Sequence, residues 1–362
     1  MAIVFITLLV ITLLIVLHEF GHFVLAKFFG VKVDEFGVGY PPRIVGKRIG
    51  ETIYSLNLIP FGGFVRILGE EKKKDDPRSF SAKPIWQRMI IILGGVIIFW
   101  VIGFFLLSFL FFLGNPLHID DSETGLLNPH IEIVGVENNS PAEKAGIKKE
   151  DVIKGLKIDD EKFIPISKVS RFQEVVKNAR GKEITLLIER KGEKKEIKLV
   201  PRVSPPEGQG PLGIGIVRIG TKKSPFPYNF LDGARYTWYI TKETVISLGK
   251  LFYDLISRKG MPEGAEPASV IGIFYFFYKA AQFSWLYFFQ LVAIISIYLA
   301  VFNLLPIPAL DGGKLFFLGI ELIRGKPVPE KIENTITTFF FFLLIGLVIF
   351  VTFRFDIPRL IK

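Results

Sequence analysis

The stretch His18-Glu19-Phe20-Gly21-His22 lies within a long and almost wholly apolar run of sequence. On a helix, two histidines four residues apart share one face, at a separation that a single Zn²⁺ ion accepts. The glutamate beside the first histidine can reach a water on that metal and take its proton. Ionisable side chains are costly inside a hydrophobic segment, so a functional role is the default interpretation. The stretch therefore predicts a zinc protease site within a membrane helix, with His18 and His22 as ligands and Glu19 as the base.

The composition agrees with a membrane protein. Half of the 362 residues are hydrophobic and 14% are aromatic, more than in ordinary soluble domains. The net charge is +10, but the basic residues lie in loops beside apolar segments, which is the pattern that orients membrane proteins. We therefore expect a lipid bilayer and no nucleic acid as partner. Cysteine is absent, which excludes disulfides and thiolate zinc ligands.

Four apolar segments are each long enough to cross about 30 Å of hydrocarbon, so we predict a mainly α-helical membrane protein. The predicted membrane helices, with the motifs that belong to them, are residues 1–30, 89–113, 285–313 and 335–353. Between them we place a cytoplasmic-side loop, one extracytoplasmic α+β domain, and a set of amphipathic and juxtamembrane helices, in residues 31–88, 121–217 and 225–283.

The distribution of lysine and arginine predicts the orientation. Residues 31–88 are rich in both, and the loop before the last helix carries Lys314, Arg324, Lys326 and Lys331. Both loops are therefore expected in the cytoplasm, which places the two termini and residues 121–217 on the outer side.

Residues 121–217 contain a recognisable motif. Ser140-Pro141 can open a short helix that Gly146 closes, and Asp151 and Ile153 follow at the spacing of a permuted bacterial PDZ domain. The segment resembles that domain over some ninety residues. PDZ folds bind peptides by adding a strand to a sheet edge, so we expect a peptide partner here. A packed cap without a ligand is the alternative.

A two-histidine zinc site needs a third protein ligand. Asp311 follows a long apolar stretch, Pro306 and Pro308 break the helix before it, and two glycines after it allow a sharp turn. Broken helix at membrane depth is tolerated where it lines a buried site, so Asp311 is the expected third ligand. An Asp-Gly-Gly sequence after a membrane helix can also be a simple turn. The histidines at 118 and 130 are interpreted as ordinary surface or loop residues.

The segment from Trp238 to Ile256 is predicted to be an amphipathic helix. Its apolar residues recur at roughly helical spacing. The charged residues mark a solvent-facing side of the helix; they are Lys242, Glu243, Lys250 and Asp254. We expect it to lie on the outer membrane surface under the PDZ-like domain; a position in the core of that domain is the alternative.

Three features together make the chain resemble the site-2 protease family, and most of all its regulator-of-sigma-E protease branch. They are HExxH in the first membrane helix, the PDZ-like insert, and Asn303-x-x-Pro306-x-x-x-Leu310-Asp311-Gly312 near the C-terminal end. The resemblance implies a multi-pass zinc metalloprotease of the bacterial inner membrane that acts in regulated intramembrane proteolysis. Its substrates would be transmembrane segments of single-span proteins, such as anti-sigma factors or remnant signal peptides.

The resemblance also implies roles for individual residues. His18, His22 and Asp311 would hold Zn²⁺, Glu19 would be the general base, and Asn303 would bind the substrate backbone. Residues 59–65 match the family's re-entrant β segment, which would lie in the cytoplasmic-side loop of residues 31–88. Four glycines match substrate-binding segments of the family, namely Gly37, Gly39, Gly62 and Gly63. Two departures stand out: the family's GPxxN motif is replaced by Gly94-Gly95-Val96-Ile97-Ile98, and one PDZ-like unit is present where the branch often has two. The alternative function is a catalytically inactive, peptide-binding membrane scaffold; the presence of every residue that the chemistry needs argues against it.

Overall fold

The computed structural model describes residues 2–70, 74–123, 125–159, 162–190, 192–206, 208–258 and 267–361. The chain divides into two compact units, one formed by Met1–Leu110 with Phe230–Lys362 and the other by Phe111–Asn229. Residues 259–266 of the predicted juxtamembrane region lie outside the described part. The helices are α1 (Ala2–Phe28), α2 (Ile85–Leu113), α3 (Pro141–Lys144), α4 (Val169–Asn178), α5 (Tyr228–Ile256), α6 (Val270–Phe283), α7 (Trp285–Asn303), α8 (Asp311–Arg324), α9 (Glu330–Val351) and α10 (Ile357–Ile361). The strands are β1 (Val33–Ile49), β2 (Thr52–Ile67), β3 (Asn115–His118), β4 (Leu127–Val136), β5 (Val152–Ile158), β6 (Ile164–Pro165), β7 (Ile184–Arg190), β8 (Glu193–Leu199) and β9 (Ile214–Lys222).

Four helical stretches in the described residues are long and apolar enough to cross a membrane, which confirms the predicted number. They are Ile3–Phe28, Ile85–Leu113, Trp285–Asn303 and Glu330–Ile361. The second and fourth are longer than predicted, because helical structure extends into the residues that precede each apolar run and, in the fourth, also continues past its end. The last stretch combines α9, a π-helical turn at Thr352–Asp356 and α10.

The backbones of α1 and α2 approach each other very closely at two glycines. A β-carbon built on Gly21 would lie 2.3 Å from the carbonyl oxygen of Gly94. Because any side chain here would push the helices apart, this pair of glycines determines how near α2 comes to the histidines of α1. The Gly94-Gly95 pair, which departs from the family motif in sequence, therefore has a clear packing role.

Strands β1 and β2 form an antiparallel sheet in which each strand bends and pairs twice. Gly37 pairs with both Phe64 and Ser55, and Val45 pairs with Leu56. The resulting order of strand segments is 43–49, 52–57, 33–38 and 63–67. The bends use glycines in the left-handed region, with φ of +76° at Gly39 and +79° at Gly62. Segments 43–49 and 63–67 are therefore the two edges of this sheet.

The Phe111–Asn229 unit is an α+β domain with its own core. Its sheet has the order β3-β9-β4-β5-β7-β8, with β6 pairing to β5 and all pairings antiparallel. The predicted short helix is present as α3: Ser140 caps it by accepting a hydrogen bond from the Glu143 backbone N–H at 3.1 Å. Asp151 is fully buried and pairs in a bidentate manner with Arg190, at 2.6 and 2.7 Å. The motif residues thus fix local structure in this domain.

Helix α5 is present as predicted, but its inner face differs from the prediction. Ile240 is buried in a cluster with side chains of α2 and α7, and Trp100 donates a hydrogen bond to Thr241 at 3.1 Å. Asp254 is only 9% exposed, so its assignment to the solvent-facing side of the helix was wrong. One face of α5 packs on membrane helices, and its other face exposes apolar side chains such as Val245 and Phe252. Helix α6 is likewise packed rather than purely interfacial, since Phe277 is fully buried against Phe288 of α7.

Candidate metal centre

Three predicted ligands converge on one point. His18 and His22 lie one turn apart on α1, and Asp311 is the first residue of α8. The two Nε2 atoms are 3.1 Å apart, and Asp311 Oδ2 lies 3.2 Å from His18 Nε2 and 3.4 Å from His22 Nε2. Ligands placed tetrahedrally at about 2.0–2.1 Å from Zn²⁺ are about 3.3 Å from one another. The three atoms therefore have the mutual spacing of zinc ligands.

The protonation pattern of the cluster also fits a cation. His22 Nδ1 lies 2.9 Å from the carbonyl oxygen of Ile91, which can only accept, so this nitrogen carries the proton and Nε2 is left with a lone pair. Asp311 Oδ2 is buried, faces the Nε2 atoms of both histidines and has no hydrogen-bond partner among the described residues. Acceptor atoms that face one another in a buried site are costly unless a cation lies between them. The residues present fit a metal ion.

Helix α2 forms the wall behind the two histidines. A β-carbon on Gly95 would lie 2.3 Å from His22 Nε2 and 2.6 Å from His18 Cε1, so only glycine leaves room for both rings. Phe99 stacks on the His18 ring, with 4.7 Å between ring centroids. Together with the Ile91 carbonyl, these residues fix the orientation of both imidazoles. Sequence reasoning missed all three; the paired glycines in the middle of an apolar helix were the one available signal.

The carboxylate of Asp311 is positioned by the broken segment between α7 and α8. The first turn of α8 lies directly on the backbone of that segment: β-carbons at Gly312 and Gly313 would be 2.1 Å from the Leu305 carbonyl oxygen and 2.4 Å from that of Ile307. Side chains at either glycine would lift the helix and move Asp311 away from the histidines. The Asp-Gly-Gly sequence is thus both a turn and the support of a ligand.

Glu19 lies next to the cluster but outside it. The described His, Asp and Glu side chains close enough to share an ion are His18, His22 and Asp311, without Glu19. Glu19 Oε2 instead accepts a hydrogen bond of 3.1 Å from the backbone N–H of Val65 in β2. This is the geometry expected of a base beside the metal rather than of a ligand.

The edge segment 63–67 of the sheet faces this glutamate. Because the Val65 N–H points away from the sheet, the backbone groups of Gly63, two residues earlier, point the same way by the alternation of an antiparallel strand. A cavity of about 460 Å³ follows the same strand from Phe64 to Glu70. The remaining lining residues are Asp34, Tyr40, Pro41 and Lys74. The open strand edge therefore contacts Glu19 through Val65, which also lines the cavity.

The other predicted site residues are not part of the metal cluster. The Asn303 side-chain nitrogen donates to the Leu299 carbonyl oxygen at 3.0 Å, so one of its two N–H groups is used within its own helix. Gly37 faces the Phe64 ring and Gly39 faces the Ile59 carbonyl, with β-carbon distances of 2.4 and 2.5 Å, so both have packing roles inside the sheet. Contact of Asn303 and the four glycines with substrate stays a prediction.

Comparison with known proteins assigns the chain to a family. Residues 6–347 match the model of peptidase family M50. The chain belongs to peptidase family M50, the site-2 protease family. Its relatives include proteins of Clostridium perfringens (34% identity, 96% of each chain), Clostridium acetobutylicum (33%, 94% of this chain and 93% of the relative) and a Nostoc species (32%, 94% and 92%). Each carries the name "Putative zinc metalloprotease".

Membership of the M50 family identifies the cofactor. The family is zinc-dependent, and the His18, His22 and Asp311 cluster could hold the ion. The zinc prediction is therefore confirmed. Residues 6–347 span nearly the whole chain, so the match covers the membrane helices, the sheet and the inserted α+β domain together.

Proposed function

We propose that this M50 protein is a zinc-dependent intramembrane endopeptidase that cuts transmembrane segments of single-span membrane proteins. One observation carries the proposal: a three-ligand metal cluster and an adjacent glutamate lie on an apolar helix that is long enough to cross a membrane. Hydrolysis at this depth gives access to peptide bonds that soluble proteases do not reach. The substrate class includes anti-sigma factors and remnant signal peptides, and the process is regulated intramembrane proteolysis.

His18, His22 and Asp311 hold the zinc ion, which when bound polarises the scissile carbonyl and makes water more acidic. Glu19 accepts the proton of the attacking water and delivers it to the leaving amine. The hydrogen bond from Val65 holds the carboxylate of Glu19 on the open side of the cluster. Phe99 and Gly95 exclude water from the opposite side of the imidazoles.

The substrate helix must unwind before its backbone is accessible, and the edge segment 63–67 offers a replacement for its lost hydrogen bonds. An extended substrate strand pairs with the outward-facing backbone groups of Gly63 and with the carbonyl oxygen of Val65, while the Val65 N–H stays bonded to Glu19. Asn303 then uses its second N–H to bind the substrate backbone or the developing oxyanion. The glycines at 37, 39 and 62 shape the sheet so that this edge reaches the active site.

The protein acts in the bacterial inner membrane with both termini and the α+β domain on the extracytoplasmic side, as the loops rich in lysine and arginine indicate. The α+β domain is PDZ-like and takes an extended peptide. Among the described residues, β3 pairs with β9 from Ile219 to Lys222 and the Ile119 N–H continues this contact to the Arg218 carbonyl oxygen, which leaves the beginning of β9 as an open edge. A cavity of about 230 Å³ lies there beside α4, lined by residues that include Phe172, Val176, Leu212 and Ile214.

The test compares wild type with Glu19→Gln on purified, detergent-solubilised protein and a panel of single-span substrates. We expect equal zinc content and a loss of cleavage by several orders of magnitude in the variant. A wild-type protein that holds zinc but cuts none of the substrates would support the inactive scaffold instead. Retained cleavage in Glu19→Gln would remove Glu19 from the mechanism.

A further inference from the structure

The helix that presents Asp311 is held by a buried ion pair far from the ligand itself. Arg88, in the first turn of α2, donates two hydrogen bonds to the carboxylate of Glu321 on α8, at 3.0 and 2.6 Å. The two side chains are only 11% and 15% exposed. Glu321 lies ten residues after Asp311 on the same helix, so a displacement of this pair moves the ligand with it.

Arg88 belongs to the same face of α2 that orients the histidines. Ile91, three residues on, accepts the hydrogen bond of His22 through its carbonyl oxygen, and Gly95, four residues further, contacts both imidazole rings. Residues at i, i+3 and i+7 lie along one side of a helix. One short stretch of α2 therefore holds the two histidines at one end and the helix of the third ligand at the other.

The charge of Arg88 is not explained by its own helix. The N-terminal end of a helix carries a partial positive charge, so an arginine in the first turn of α2 gains nothing from it. Replacing buried ion pairs by apolar residues is often neutral for stability, and their best-attested role is to specify one geometry. Helix α8 also contacts α1 and α2 through apolar side chains, where Leu318 packs near Ala26 and Ile91. Apolar contacts are not directional, so they do not specify one geometry in the way that the ion pair does.

A second ion pair on α8, between Lys314 and Glu70, cannot replace the Arg88–Glu321 pair in fixing the position of the helix. Its Nζ–Oε1 distance is 2.6 Å, and the neighbouring charge of Glu70 raises the pKa of Lys314 above its usual range. The Lys314 side chain is nevertheless half exposed, and exposed ion pairs constrain geometry weakly. The buried pair is the directional link between α8 and α2.

We propose that Arg88 and Glu321 are positioning residues that set the distance from Asp311 to His18 and His22, and thereby the affinity for zinc. The inference rests on the ligand set of the proposed function. It predicts that breaking the pair weakens zinc binding although no ligand is altered.

The test measures zinc affinity of the full chain in detergent by competition with a chelator, together with thermal unfolding of the zinc-free protein. Glu321→Gln is expected to bind zinc at least about tenfold more weakly than wild type, a loss typical of removing supporting contacts around a metal site. Exchange of the charges, with Arg88→Glu and Glu321→Arg combined, should restore most of the affinity. The control is Arg324→Gln, at an exposed position at the end of α8, which should bind zinc as wild type does.

A purely structural pair would lower the unfolding temperature of zinc-free protein and leave the zinc affinity of the folded protein unchanged; that result overturns the proposal. A folded charge-exchange variant that binds zinc as weakly as Glu321→Gln also overturns it. Should Glu321→Gln fail to fold, Glu321→Asp keeps the charge but shortens the side chain, and wild-type affinity in this variant counts against the proposal. Asp311→Ala distinguishes a failure of the ligand assignment from a failure of the positioning role. Full zinc occupancy in Asp311→Ala contradicts the ligand set itself. Loss of zinc in Asp311→Ala together with normal affinity in Glu321→Gln contradicts only the positioning role.

Discussion

The backbone N–H of Val65 donates a hydrogen bond of 3.1 Å to Glu19 Oε2. This contact joins the strand edge that faces the metal centre to the residue proposed as the base. A substrate strand that pairs with segment 63–67 would therefore arrive with its backbone in a fixed register relative to Glu19. This register would place one peptide bond of the substrate beside Glu19 and the three ligands.

The assignment of the ligands predicts a simple contrast between histidines. His22→Ala and Asp311→Ala should each deplete bound zinc strongly, because two ligands do not hold the ion as three do. His130→Ala should retain full zinc, since His130 lies in the α+β domain and contacts the carbonyl of Asn128. Metal analysis of the purified proteins checks this. Full zinc in Asp311→Ala would refute the assignment.

Gly95 should be as sensitive as a ligand although it has no side chain. Gly95→Ala places a methyl group 2.3 Å from His22 Nε2, so the imidazoles must move and zinc affinity should fall by about tenfold or more. Gly346→Ala is the matched control, because it lies on membrane helix α9 and no atom is within 4 Å of its added β-carbon. Chelator competition on both variants gives the comparison. Equal affinities would mean that α2 does not shape the site.

The core of the site could be predicted from sequence because its rules are local. Helical spacing alone places His18 and His22 on one face, and two prolines and two glycines mark the broken segment before Asp311. The contribution of α2 could not be predicted in the same way. Gly95, Phe99 and Ile91 act through contacts between two helices, and a sequence does not state which apolar helices are neighbours or how they are rotated.

The shape of the β1–β2 sheet and the packing of α5 could not be predicted from the sequence either. The family resemblance predicts a β segment in residues 31–88, but the edge that faces Glu19 follows from the bends at Gly39 and Gly62, whose effect on register is not local. In α5, Asp254 is polar and at a plausible position for a wet face, yet it is buried because helix packing decides its exposure. Periodicity predicts that a helix is two-sided and does not identify what covers each side.

The α+β domain should depend on the pair formed by Asp151 and Arg190. Asp151→Ala removes a fully buried carboxylate with three hydrogen bonds to protein donors and leaves the guanidinium of Arg190 without its partner. Loss of one partner of a buried pair typically costs about 3 kcal/mol of unfolding free energy. Glu183→Ala, which breaks an exposed pair with Lys198, should cost less than about 1 kcal/mol. Thermal denaturation of the purified proteins distinguishes these outcomes, and equal stabilities would contradict the structural role of Asp151.

The strand edge gives the sharpest test of how substrate and base are aligned. Val65→Pro removes the N–H that contacts Glu19, but it breaks no pairing within the sheet, because this N–H points outward. Cleavage of single-span substrates should fall by about a hundredfold, while zinc content stays at the wild-type level. Val65→Ala keeps the N–H and loses only the side chain, so it should cleave within a few-fold of wild type. Equal activity of the proline and alanine variants would show that the hydrogen bond from Val65 does not hold Glu19 in its catalytic position.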